Sequence, residues 1–196
     1  SIEYRRFRNS LMDSRVGKLL IAHPNLPSDN WFNRTVIYVY NESPQQGTLG
    51  VTLNVPTNIP FKKLCYDKGV IYPSEYPVVH KGGPVSEASI VILHTDDWNS
   101  RNTIPAGQRY RLSSDTEMFS KLSLGDTPVY WRPFVGLTQW EPGQLDAEMR
   151  GQFPYTRAHS WLTCDATDEL LFGVHGHDQW KAAVEFAGMQ MVDSWI

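Results

Sequence analysis

Thr35-Val-Ile-Tyr-Val-Tyr-Asn-Glu-Ser-Pro-Gln-Gln-Gly-Thr-Leu-Gly-Val-Thr-Leu-Asn-Val-Pro56 is the stretch whose reading decides the fold. Its first six residues are all β-branched or aromatic, which favours a strand. Ser43-Pro-Gln-Gln-Gly47 is a turn, and residues 48–55 return as the partner strand, so the segment predicts a hairpin closed by Pro56 and Pro60. Upstream, residues 18–23 form a continuous apolar run ended by Pro24, the pattern of a buried strand. Downstream, residues 61–66 fit one or two helical turns. Residues 78–80 and 89–94 read as strands around a Gly82-Gly83-Pro84 corner, sharpened because Gly83 precedes proline.

Further along, Ser114-Asp-Thr-Glu117 fits a capping box with Ser114 at the N-cap, predicting a helix to about Leu122 that buries Met118, Phe119 and Leu122. Residues 129–137 read as a long strand interrupted by Pro133, hence an edge position or a bulge. Pro142 suits the first turn of a helix whose Leu145 and Met149 share a face. A last helix is predicted from near Asp178, its N-cap, with Trp180, Ala183, Val184 and Ala187 inward and Gly188 just past its end. Strands and helices mix without regular βαβ alternation, which favours an α+β fold. No repeat or linker divides the chain. The organisation expected is a basic amphipathic extension over residues 1–16 and one domain over residues 17–196.

At 196 residues the chain can bury a core without staples. It is 41% hydrophobic and 20% charged, ordinary globular usage. A formal net charge of −3 argues against a surface that binds nucleic acid everywhere. Its two cysteines, Cys65 and Cys164, are too few for a disulfide framework and lack the paired spacing of a structural zinc site. No apolar stretch is long enough to span a bilayer and no signal peptide opens the sequence, so a cytoplasmic protein is expected.

Four punctuated segments stand in a fixed order: Gly17 to Pro24, Gly47 to Pro56, Lys81-Gly-Gly-Pro-Val85 and Trp140-Glu-Pro-Gly-Gln-Leu145. Together they resemble the YqgE/AlgH family of bacterial proteins. Leu19-Leu-Ile-Ala22 with Pro24, then Phe32-Asn-Arg-Thr-Val-Ile-Tyr38, resemble its opening strands. Gly82 to Val85, Leu93-His94, Ser113-Ser-Asp115 and the Trp140 segment through Asp146 and Glu148 follow in family order. Trp161-Leu162, Leu171-Phe172 and Trp180 complete a match over about residues 17–190. The sequence departs from the pattern at Ser89-Ile90, where the family commonly has Arg-Gly, and at Thr138-Gln139 and Glu141, where it has smaller residues. These changes fill space where backbone could approach a ligand. The resemblance implies a two-lobed α+β fold with a curled, barrel-like mixed sheet and short flanking helices. It supplies no catalytic residue set, and one branch of the family carries a transcriptional-regulator label.

Chemical candidates are few. His175-Gly-His177-Asp178 is the most metal-like spot, with Cys164 or Asp165 as a further ligand, but only two ligands are secured, so no metal and no cofactor is expected. Cys65, beside Lys62 and Lys63, and Cys164 read as buried thiols. Ser113-Ser-Asp115 with His94 could suggest acyl chemistry, but no Gly-x-Ser-x-Gly elbow is present and the helix start accounts for the cluster. The glycines fit corner duty better than a phosphate cradle.

Two functional readings remain. The preferred one is a non-enzymatic regulatory or interaction protein with a protein partner, or nucleic acid as the alternative, contacted through the basic segment of Arg5, Arg6, Arg8 and Arg15. There Tyr4, Phe7 and Leu11 recur at helical spacing, which fits contact with nucleic acid, an acidic partner or a membrane surface, and equally a short helix docking its apolar face on its own domain with the arginines solvated. The other is a small-ligand sensor or enzyme with a site between the lobes drawing on Arg34, Asn54, His94 and Gln144. A viral or mobile-element copy with a host-directed or structural role is a third.

Overall fold

Both faces of the first two strands are covered, which is why their sequences are apolar without alternation. In strand β1 (Lys18–Ala22) Leu19 and Ile21 enter one core while Leu20 and Ala22 enter another. Strand β2 (Val36–Ser43) divides the same way, with Val36, Tyr38 and Tyr40 on one side and Ile37 and Val39 on the other. These positions come from a computed structural model that describes residues 14–26, 30–151 and 161–196. Tyr4, Phe7, Leu11, Arg5, Arg6 and Arg8 lie outside the described residues.

The predicted hairpin forms: β2 pairs antiparallel with β3 (Gly47–Thr52), from Ile37 opposite Thr52 to Ser43 opposite Gly47, with a bulge between Val39 and Asn41. The chain continues through β4 (Pro56–Pro60), helix α1 (Phe61–Asp67), β5 (Val78–Lys81), β6 (Val85–Thr95), β7 (Thr103–Pro105) and β8 (Tyr110–Ser113). Helix α2 (Glu117–Ser123), β9 (Trp131–Trp140), α3 (Gln144–Arg150), β10 (Trp161–Asp165), a π-helical turn (Glu169–Gly173) and α4 (Gly176–Asp193) follow.

The strands form one curled, mostly antiparallel half-barrel in the order β10-β1-β2-β3-β9-β6-β8-β7, with β5 lying parallel to β9 and β4 beside β5. The α+β class is therefore as expected. Helix α4 covers one face with Ala183 and Ala187, α3 closes the opposite face of β1 and β2 through Leu145, and α1 and α2 bury Phe61, Cys65, Met118, Phe119 and Leu122 in a third cluster.

Strand β9 joins these regions, pairing with β6 through its first half and β3 through its last residues. Within it Gly136 takes φ 78°, where the Gly82-Gly83 corner passes close against it. A Cβ on Gly82 would lie 2.3 Å from the Gly136 carbonyl oxygen. The corner thus needs glycine for a backbone crossing. Pro133 faces Ile92, and on its other side β5 begins only at Phe134, so the lost donor falls where no ladder bond is needed.

Several predicted boundaries are corrected. Thr116, not Ser114, takes the N-cap position of α2, and Asp115 just before it holds the first turn: its Oδ1 accepts from the Met118 N–H at 2.9 Å, and its other oxygen is held by Ser100 and the Asn102 N–H. Helix α4 starts two residues before Asp178, with His175 at the N-cap, and runs through Gly188 to Asp193, because its small-residue face remains packed on the sheet. Pro142 precedes α3 rather than opening it; Gly143 takes the N-cap position in the left-handed region. Strands β4 and β7 lack an apolar signature, and β8 is only four residues long, with buried Tyr110 and Leu112 on either side of Arg111; none of the three is predicted from the sequence.

Candidate functional site

Two of the four ligand candidates meet at the start of α4. Asn54, buried just past β3, accepts from the Val36 N–H at 2.9 Å and donates to the carbonyls of Arg34 (2.8 Å) and Gly176 (3.1 Å). One amide thus ties the β2 turn, the end of β3 and the first turn of α4 together. Arg34 sits at φ 56°, a conformation that costs a non-glycine residue about 1 kcal/mol. From there its exposed guanidinium lies over the Trp180 ring, 5.7 Å from the centroid. His177 stacks on Trp180 at 5.5 Å, and the indole N–H donates to the Ala22 carbonyl at 2.9 Å.

Beneath this surface lies a residue that sequence reasoning missed. Arg132 of β9 is 3% exposed, and its terminal nitrogens donate to Leu53 O (3.0 Å), Gln179 Oε1 (2.8 Å), Val174 O (2.9 Å) and His175 Nδ1 (2.9 Å). Every acceptor is neutral. Among the described residues no Asp or Glu pairs with it. Burial pushes its pKa down to about 10, which still leaves it charged near neutrality. Gln179, fully buried, uses its other end to donate to Leu170 O at 2.8 Å. The available signal was a charge two positions from Phe134, at an inward position of a strand.

Because Arg132 donates to Nδ1, His175 is held as the Nε2–H tautomer. Its pKa is lowered, first by burial and then by the Arg132 charge. His80 of β5 lies nearby, 3% exposed, its ring centroid 6.3 Å from that of His175 and 6.0 Å from Phe134. Its Nδ1 has no hydrogen-bond partner among the described residues. Burial, then Arg132, brings its pKa down to about 4, against a smaller upward pull from the Val78 carbonyl. Both imidazoles are thus neutral near pH 7.

The other candidates lie apart from this cluster. His94 is fully buried beside Trp98; its Nδ1–H donates to Thr95 O and its Nε2 accepts from Ser113 Oγ, both at 2.7 Å. Ser113 is buried as well and also bonded to Thr103 at 2.6 Å. Gln144 accepts from the Glu141 N–H at 3.0 Å, closing the turn before α3. Arg15 is taken by Glu42 at 3.5 Å and by Asp146, bracing β2 against α3. Cys65 and Cys164 are buried, and burial raises them to about 11 and about 12. No group of three or more metal-ligating side chains occurs among the described residues.

Fold and site define an α+β half-barrel with a polar, cationic seam where its long helix begins. The AlgH-like family model matches residues 19–192, and the chain belongs to that family. A UPF0301 protein of Marinomonas sp. (strain MWYL1) is 31% identical over 186 residues, covering 93% of this chain and 94% of that protein. One from Gluconobacter oxydans is 32% identical over 172 residues, covering 86% and 88%. The solution structure of the AlgH protein from Pseudomonas aeruginosa shares the fold at TM-score 0.73, with 24% identity and 90% of each chain covered.

Proposed function

We propose that this protein is a non-enzymatic regulatory binding protein that meets its ligand or partner at the surface around the first turn of α4. The observation that carries this reading is the convergence there of Arg34, Asn54, Arg132 and His175 with no nucleophile among them. The exposed members, Arg34, His175, His177 and Asp178, are donors and charges suited to recognition. The Ser113–His94 pair, which could support acyl transfer, has neither residue open to a substrate.

The test is a nuclear magnetic resonance screen of the labelled protein against neutral, cationic and anionic metabolites. Binders should shift Arg34, Gly176, His177 and the Trp180 indole without being converted. Turnover of a compound, or binding confined to other surfaces, contradicts the reading. Salt-sensitive partner binding that weakens when Arg5, Arg6 and Arg8 are changed to Ala would add the amino-terminal arm to this surface.

A further inference from the structure

We propose that the ligand recognised at this seam carries a compact oxyanion of the phosphate class, bound at the first turn of α4 above Arg132; this rests on the preceding reading that the α4 start is the working surface.

The buried guanidinium points to an anion. A cation removed from water without a counter-ion is costly, and here the four acceptors are two backbone carbonyls, an amide oxygen and a neutral imidazole. None of them cancels the charge. The field of Arg132 therefore reaches the surface, and His175 is its outlet: with Nδ1 occupied, the exposed ring presents an Nε2–H donor.

Helix α4 adds the second component. It has 18 residues and no side-chain cap at its start, so the first-turn N–H groups and the positive end of the helix dipole are available to an acceptor. Gly176 opens the helix with nothing within 4 Å of where a side chain would begin, leaving room for an oxyanion against the backbone.

Arg34 supplies the third component, an exposed cation held near the helix start by Asn54 and Trp180. A guanidinium is suited to two-pronged contact with phosphate oxygens. His80 is the independent sign that the buried side of the seam is incompletely paired. Its buried Nδ1 has no hydrogen-bond partner among the described residues, and its ring centroid lies 6.3 Å from that of His175. Asp178, exposed in the first turn, is the carboxylate that opposes an incoming anion.

The experiment titrates the full chain with inorganic phosphate at fixed ionic strength, following backbone amides and imidazole nitrogens. The expected result is saturable shifts at Gly176, His177, Asp178 and His175 Nε2. Arg34→Ala should weaken binding roughly tenfold, the loss of one charge-assisted contact. His175→Phe should weaken it as well, and Asp178→Asn should strengthen it severalfold. Acetate tests a carboxylate source, and saturation weaker than with phosphate supports the assignment. Non-saturating shifts spread over surface lysines mean an adventitious ion only and overturn it. So does equal phosphate affinity in the Arg34→Ala and Asp178→Asn proteins, whose exposed substitutions decide the question even if His175→Phe fails to fold. If neutral or cationic compounds shift the same residues while phosphate and acetate do not, the oxyanion assignment falls and the proposed function stands.

Discussion

Removing Arg132 without replacing what it satisfies strands two carbonyls, the Gln179 amide oxygen and the His175 ring at once. Arg132→Met keeps much of the stem but none of the donors. It should cost about 3–5 kcal/mol, read as a lower urea midpoint with an unchanged slope. A loss under 1 kcal/mol would mean that the guanidinium is not the tie between β9 and α4. The same residue shows what one sequence can hide. Arginine inside a strand is legible as an anomaly, yet its partners come from residues 53, 174, 175 and 179, which only the fold brings together. Arg34 and Asn54 were legible because they stood as polar residues in apolar strand motifs. His94 stood at the end of a strand motif and Gln144 in the Trp140 turn segment, and a buried hydroxyl and a local turn account for them.

At the scale of elements, α4 is positioned from both ends of its first turn, by Asn54 above and Arg132 below. Asn54→Ala removes the upper tie and leaves the Val36 N–H and the Arg34 carbonyl without that partner. It should destabilise by about 1–3 kcal/mol. Amide exchange at residues 176–180 should quicken while β6 and β8 stay protected, and exchange rising uniformly instead would deny Asn54 a local role. The Gly82 corner is a second element-level constraint, since an added methyl group meets backbone and not a yielding side chain. Gly82→Ala should cost roughly 2–4 kcal/mol by thermal denaturation. A neutral result would remove the crossing at Gly136 from the account. Helix ends were misread for a related reason: caps depend on which backbone groups stay free, whereas the pattern of apolar residues fixes only the face.

Across the whole molecule the apolar strands and the inner faces of α2 and α4 were legible, because burial writes itself into residue type. The short strands β4, β7 and β8 were not. They are too short to show a pattern: β4 is largely exposed, β7 has three residues, and β8 has four, of which Tyr110 and Leu112 enter the core. Among the described residues no helix is long and apolar enough to cross a membrane. Stability should decline in two stages on acidification. His80 is about 4 in the fold against 6.5 when exposed, so the unfolded chain takes up its proton first. The stability that neutral His80 represents, roughly 3 kcal/mol, is complete above pH 6.5 and lost as pH falls towards 4. His94 and His175, also lowered by burial, add to that stage. Asp97, Asp165 and Asp168 are lowered by Thr95, Lys18 and Arg109 respectively. Their contribution is present above about pH 3.9 and is lost below it. Urea midpoints from pH 8 to 3 should show both stages, with the first reduced in His80→Phe.

The most direct measurement is the protonation state of His175, by nitrogen-15 imidazole spectroscopy across pH 5–8. An unprotonated Nδ1 and a protonated Nε2 throughout neutral pH is the result that Arg132 beneath the ring requires, with titration held below the ordinary histidine range by burial and then by the Arg132 charge. An imidazole titrating near 6.5 with both tautomers present would show that the buried charge does not reach the surface through this residue, and the binding site drawn around it would be wrong.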